Sequence, residues 1–346
     1  MPNSLHLYFV QSPLQAINAF EARCAIADGA DRHEIVVFDQ KERRNNLLLA
    51  NTLNALGWQP LYRVPFRRSG PLKIVEWLKL RARLLPLREV SRCYVGDYCA
   101  GMAVAALNLF PKAEIYVVDD GTSTINFPGL RYEGRRPQHL PPNRNLPMLS
   151  YRTDLPKALT LFSMYDVAVR PPDALRTNRL SFLADSLKFE ANGPVFFIGS
   201  CLPDVEVLTF EQFFKLFQAA RKWLGSREIQ YFPHRRELMD RKQAFFESLG
   251  VKIATSSLPF ELELTHGSRR PCLVATFYST ALDTLRLLVP ERRGYLVAFE
   301  VPQEWVQTDS HKEIAEASYK KYHRSEEIQV VSLAESAAGD GAVRYR

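Results

Sequence analysis

Short runs of consecutive apolar residues alternate along this chain with longer segments whose apolar positions recur every three or four residues. The short runs have the length and β-branched or aromatic content of buried strands. The longer ones have the period of helices with one apolar face. Residues 5–10 open the series as a strand. A helix follows through Ala16, Ala19, Ala22 and Ala25, with Ser12 placed to cap it and Pro13 suited to its first position. Further strands are expected at 35–38, 61–64, 92–95 and 115–118, with helices at 45–56, 72–85 and 101–109 between them. Another strand is expected within 159–169, and the polar, turn-prone stretch 171–193 reads as a domain crossing. The alternation then restarts. Strands are expected at 195–198, 229–232, 251–253, 272–277 and 295–298, the last of the series, with helices at 210–224, 241–249 and 281–288 and a helical tail at 311–322.

Strands and helices alternating in this way form parallel sheets covered by helices, an α/β class. A chain of 346 residues is long enough for two such domains. The expected division is 1–185 and 186–308, followed by a helix and frayed tail at 309–346. In the helix at 72–85, Leu72, Val75, Leu78 and Ala82 form an apolar stripe. Lys73, Lys79, Arg81 and Arg83 crowd its polar face, and Arg67, Arg68 and Arg88 flank it. A surface helix whose stripe packs on the sheet is the simpler reading. A peripheral contact with anionic lipid or an acidic acceptor is the sharper one.

Composition narrows the picture only a little. Hydrophobic residues make up 46% of the chain and charged residues 24%, as in soluble globular domains. No run is long and apolar enough to span a bilayer, and the N-terminus lacks the features of a signal peptide. The five cysteines are scattered without metal-ligand spacing, which fits reduced thiols in a cytoplasmic protein. The net charge of +7 points to an anionic partner: a nucleotide, an acidic glycan, a membrane surface or nucleic acid.

The candidate chemistry sits where strands are expected to end. Asp119, Asp120 and Gly121 follow the strand at 115–118, with Thr122, Ser123 and Thr124 behind them. Ligands of open α/β sheets bind past the carboxyl ends of strands, so the acid pair is a candidate general base. An Asx-type turn is the plain alternative. The turn after the first strand carries Gln11, Ser12 and Gln15, and the turn after 92–95 carries Gly96, Asp97 and Tyr98. Residues 128–147 read as an irregular loop in which Arg131, Arg135 and Arg136 meet an acidic acceptor or face water. In the second half, Gly199 and Ser200 end one strand. Pro233, His234, Arg235 and Arg236 end a second, and Ser279 and Thr280 end a third, just before a helix. His234 has a free pKa near neutrality, which neighbouring arginines lower and a bound phosphate raises. Amides at a helix N-terminus favour a phosphate. A lone histidine is more often structural and a Ser-Thr pair more often a cap, but their recurrence at comparable strand ends favours function.

Two Rossmann-like halves facing across a cleft describe the GT-B glycosyltransferase architecture. Asp119, Asp120 and Gly121 resemble the acidic-acidic-glycine motif of bacterial sialyltransferases. Pro233, His234 and Arg235 resemble their histidine motif, and Ser279 with Thr280 their paired hydroxyls. Residues 11–15, the turn at 96–98 and Phe197, Ile198 and Gly199 look like the polysialyltransferase and lipooligosaccharide sialyltransferase group. The resemblance spans residues 5–290, with one departure: the family's histidine precedes its proline, whereas here Pro233 comes first. The inversion leaves room for a donor other than the common sialic acid.

The resemblance implies an inverting transfer of a nonulosonic acid from a CMP-sugar to a hydroxyl of a cell-surface glycan or glycolipid, with no metal or other cofactor. It implies Asp120 as base and His234 as acid. Gly199, Ser200, Arg235, Ser279 and Thr280 would hold the donor. Ser12, Gln15, Asp97, Asp119 and Gly121 would orient the acceptor side, although Asp119 and Asp120 could exchange roles. A GT-B enzyme using CMP-Kdo or another nucleotide sugar is the near alternative. A non-catalytic protein for acidic glycans or nucleic acid is the far one. The carboxylate pair argues against the far alternative by repelling a polyanion, as does the absence of RNA-binding signatures.

Overall fold

A computed structural model describes residues 4–27, 29–67, 70–87, 89–98, 100–121, 123–133, 146–234, 237–279, 281–289 and 294–333. The chain divides into two units: Met1–Phe182 with Ser257–Pro259, and Leu183–Ser256 with Phe260–Arg346.

In the first unit the apolar runs form strands and the periodic segments form the helices between them. The order is β1 (Leu5–Val10), α1 (Pro13–Ile26), β2 (Arg32–Phe38), α2 (Arg43–Ala55), β3 (Pro60–Val64), α3 (Pro71–Leu84), β4 (Val90–Val95), α4 (Gly101–Leu107), β5 (Glu114–Val118), α5 (Phe127–Tyr132), β6 (Thr160–Ser163) and β7 (Ala174–Thr177). The sheet order is β3-β2-β1-β4-β5-β6-β7, and all these strands run parallel. Every residue of β1 is buried, as expected of a central strand covered on both faces. One face packs Leu7, Phe9, Val36, Val95 and Val117 with Trp77 and Leu80 of α3. The other packs Tyr8, Val10, Val37 and Val118 with Ala16 and Ala19 of α1. Ser12 caps α1, its Oγ accepting from the Gln15 amide at 3.2 Å, and Pro13 takes the first position.

α6 (Ser181–Ser186) leads into the second unit. It continues with β8 (Val195–Ile198), α7 (Phe210–Leu224), β9 (Ile229–Phe232), α8 (Gln243–Ser248), β10 (Lys252–Ile253), α9 (Phe260–His266), β11 (Leu273–Thr276), α10 (Ala281–Leu288), β12 (Leu296–Phe299), α11 (Asp309–Tyr322) and β13 (Ile328–Val331). Its sheet order is β10-β9-β8-β11-β12-β13, again parallel. In both sheets the order of strand addition reverses beside the first strand, between β1 and β4 and between β8 and β11. Such a switch point leaves a crevice at the strands' carboxyl ends.

Four expectations need correction. The last strand is not at 295–298: β13 adds a further one, from a short apolar run in what read as tail. The stretch 171–193 contains β7. Residues 128–132, expected to begin an irregular loop, lie in α5. In that helix Arg131 is paired with an acid of its own unit rather than held out in a loop. Its Nε donates to Asp173 Oδ2 at 2.8 Å and its Nη2 to Oδ1 at 2.9 Å, and both side chains are largely buried. Arg135 and Arg136 lie outside the described residues. The fourth correction concerns α3. Its buried residues are Glu76, Trp77, Leu80 and Leu84, while Leu72, Val75 and Leu78 face out. Trp77 decides the orientation. It is fully buried, donates from Nε1 to the Leu149 carbonyl at 2.9 Å and packs edge-on against Tyr151. Burying an indole with two leucines outweighs burying the smaller stripe.

Candidate functional site

In the first unit, Ser12, Gln15, Asp97, Asp119, Asp120 and Gly121 all stand at the carboxyl ends of β1, β4 and β5, beside the switch point. A ladder of side chains ties them together. Gln15 is fully buried and its Oε1 accepts from the Gln11 amide at 2.9 Å. Gln11 donates from Nε2 to Asp97 Oδ2 at 2.7 Å and accepts from Gln40 Nε2 at 2.8 Å. Gly96 is required here, because a Cβ at that position would overlap the Gln15 side chain. Gln15 Nε2 is buried with no hydrogen-bond partner among the described residues. Leaving such a donor unmatched costs about 1–3 kcal/mol, so a water or a ligand group is called for at this atom.

The two adjacent acids differ sharply. Asp119 is fully buried; its Oδ1 accepts from Ser163 Oγ at 2.6 Å and its Oδ2 from the Met164 amide at 2.7 Å. Burial raises its pKa from the ordinary 3.8 to about 6, against the pull of those bonds. Its backbone carbonyl accepts from Asn18 Nδ2 at 3.2 Å. Asp120 is only half-buried, receives Ser12 Oγ at 3.2 Å, and has its own amide donating to Thr124 Oγ1 at 3.0 Å. Gly121 turns the chain with φ +64°, a conformation that suits glycine. Asp119 thus fastens β5 to β6, and Asp120 is the carboxylate that meets solvent. Alternation along the strand puts the two in different environments.

In the second unit, Gly199, Ser200, His234 and Ser279 stand at the carboxyl ends of β8, β9 and β11. Arg235 and Thr280 lie outside the described residues. A Cβ at Gly199 would overlap Glu237 Oε2 and lie 2.8 Å from the Tyr231 hydroxyl and 2.9 Å from the His234 nitrogen. The glycine is therefore what lets the histidine turn close onto β8. Ser200 is 7% exposed, and its Oγ has no hydrogen-bond partner among the described residues. Ser279 Oγ accepts from the Ala281 amide at 3.2 Å, the capping role that its position suggests.

Sequence reasoning missed the residues that hold these turns. Glu237 accepts from the His234 amide at 2.6 Å and from the Tyr231 hydroxyl at 2.7 Å. Lys242, fully buried, donates at 2.6 Å to both Glu237 and Asp204. Burial raises the Glu237 pKa and Lys242 opposes the rise. The Tyr322 hydroxyl of α11 accepts from the Ser279 amide at 3.2 Å and donates to its carbonyl at 2.9 Å. Tyr319, one turn earlier, donates from its hydroxyl to the Phe299 carbonyl at 2.8 Å and accepts from the Val301 amide at 3.0 Å. A spacing of three on a helix puts both hydroxyls on one face, the only signal the sequence offered. A hollow of about 540 Å³ lined by Pro203, Asp204, Leu208, Phe210, Leu238 and Arg241 touches none of the sequence-predicted site residues.

No protein-family model matches the chain, and no curated relative does. Solved structures do. The UDP-GlcNAc 2-epimerase from Neisseria meningitidis bound to UDP-GlcNAc is 11% identical, with a TM-score of 0.54 over 96% of this chain and 90% of that one. The UDP-GlcNAc 2-epimerase of Methanocaldococcus jannaschii is 11% identical, with a TM-score of 0.53 over 96% and 91%. The fold is GT-B. The GT-B domain of a sialyltransferase from Photobacterium damselae also aligns, at 11% identity and a TM-score of 0.46 over 94% of this chain and 99% of that one. Within each unit, the strand-end residues named above lie at the carboxyl edge of an open parallel sheet, where such sheets leave a crevice.

Proposed function

We propose that this protein is an inverting glycosyltransferase that moves sialic acid or a related nonulosonic acid from a CMP-sugar to a hydroxyl of a glycan. The observation that carries the reading is the unequal acid pair. Asp119 spends both oxygens on Ser163 and Met164, while Asp120 stays half-buried with Ser12 as its side-chain donor. This asymmetry supports Asp120 as the base that takes the acceptor hydroxyl's proton and Asp119 as its positioning neighbour. His234, on a turn clamped by Glu237, would protonate the departing phosphate. Ser200 Oγ, with the hydroxyls of Ser279 and Thr280 at the N-terminus of α10, would hold it. Bond breaking at the sugar gives oxocarbenium character, and attack from the opposite face inverts the anomeric centre. CMP leaves with one phosphate, less charge than a diphosphate, so these residues suffice without a metal.

The test is a thermal-shift panel of nucleotides followed by a CMP-release assay with candidate CMP-sugars. Stabilisation by CMP over UDP, GDP and ADP, with CMP release that persists in chelator, supports the reading. Stabilisation by UDP alone would move the donor to a UDP-sugar. Release from CMP-Kdo but not CMP-sialic acid would fix the near alternative.

A further inference from the structure

We propose that the outward face of α3 is a docking surface for an anionic lipid bilayer. Among the described residues, fourteen large hydrophobic side chains are exposed, and six of them lie between 66 and 85: Phe66, Leu72, Ile74, Val75, Leu78 and Leu85. Leu72, Val75, Leu78 and Leu85 share one side of the helix by spacing. Leu72 is 60% exposed and Leu85 54%. Scattered apolar residues are ordinary on a surface, but a continuous stripe marks an interaction site.

Charge selects the occupant. α3 carries Lys73, Lys79, Arg81 and Arg83 against a single acid, Glu76. That acid is turned inward: it is 5% exposed and is met by Lys79 at 3.5 Å and Arg67 at 3.9 Å. The outer face is therefore an apolar strip edged by Lys79, Arg81 and Arg83, with the one carboxylate of the helix buried beneath Lys79. This pattern seats a helix flat in the headgroup region, with leucines among the acyl chains and cations against anionic headgroups. A second copy of the same face would set cation against cation. No described helix is long and apolar enough to cross a membrane, so the contact is interfacial. This proposal does not depend on the proposed reaction.

The test is co-sedimentation of the full chain with phosphatidylcholine vesicles with or without phosphatidylglycerol. The protein should pellet with the anionic vesicles and be released by salt. Arg83→Glu, at an exposed cation, should weaken binding at least about fivefold. Val75→Ser with Leu78→Ser should abolish it, and Leu47→Ser, at an exposed leucine of α2, should not change it. All these side chains are exposed, so melting temperatures should stay at the parent value. Equal pelleting with both vesicle types, or variants that bind like the parent, would overturn the proposal. So would a parent dimer that fails to pellet and is dissociated by Val75→Ser with Leu78→Ser; it would assign the face to a second copy.

Discussion

The backbone amide of His234 donates to Glu237 Oε2 at 2.6 Å, and the other oxygen of that carboxylate accepts from buried Lys242 at 2.6 Å. The histidine turn is thus anchored through one carboxylate to a cation with no access to water. Lys242→Met would leave Glu237 and Asp204 buried without their cation. Removing one partner of a buried pair costs about 3–5 kcal/mol. Denaturant unfolding should show a loss of that size, whereas Lys215→Met, at an exposed pair with Glu211, should change stability by less than about 1 kcal/mol.

Asp119 gives a prediction about pH. Its folded pKa of about 6 lies above the ordinary 3.8, so between those values the folded state binds more protons than the unfolded. The contribution is greatest below 3.8, falls as pH rises through that window, and is flat above it. A displacement of that size corresponds to about 3 kcal/mol. Asp119→Asn keeps an acceptor for the Met164 amide and lets Ser163 Oγ turn round to accept. Its stability relative to the parent should therefore rise by that order from pH 4 to pH 6 in paired unfolding curves. Parallel curves would show that Asp119 does not titrate there.

Asp120→Asn should lower CMP release with a glycan acceptor by about 100-fold or more, the range of a lost general base. The side chain is half-buried and Asn keeps an oxygen to accept from Ser12, so the melting temperature should hold. Ser12→Ala should cost helix stability of about 1 kcal/mol and far less rate, because Ser12 caps α1 as well as donating to Asp120. Full turnover by Asp120→Asn would remove the residue from the reaction.

Tyr322→Phe deletes both bonds to Ser279, at about 1 kcal/mol each. The proposed reaction predicts a higher KM for the CMP donor with kcat less affected, because the lost bonds hold the phosphate turn. Steady-state kinetics with donor varied would check this. Gly199→Ala should destabilise by about 1–3 kcal/mol, because a Cβ there overlaps Glu237 and the turn must shift.

Much of the fold was legible because both sheets are parallel and central. Strands such as 195–198 are buried on both faces and read as unbroken apolar runs. α3 was misread because it carries two apolar stripes with two leucines each, and spacing alone does not show that the one with Trp77 is buried. β7 was missed because its residues are exposed or only half-buried, so no apolar run announced it. The strand-end residues could be named from sequence because a polar cluster after an apolar run marks where a strand stops. Their supports could not be. Glu237, Lys242 and Tyr322 look like ordinary surface residues in a linear chain, and only long-range packing makes the first two buried and the third a clasp.

β13 has a practical consequence. It forms the outer border of the second sheet, pairing along all of β12, whose four residues are fully buried. A protein shortened at residue 308 would bare that row of amides and carbonyls with aliphatic side chains on either side, an open template for other molecules. Shortened versions should therefore collect in inclusion bodies, and a poor soluble yield from them would reflect a missing border rather than a dispensable tail.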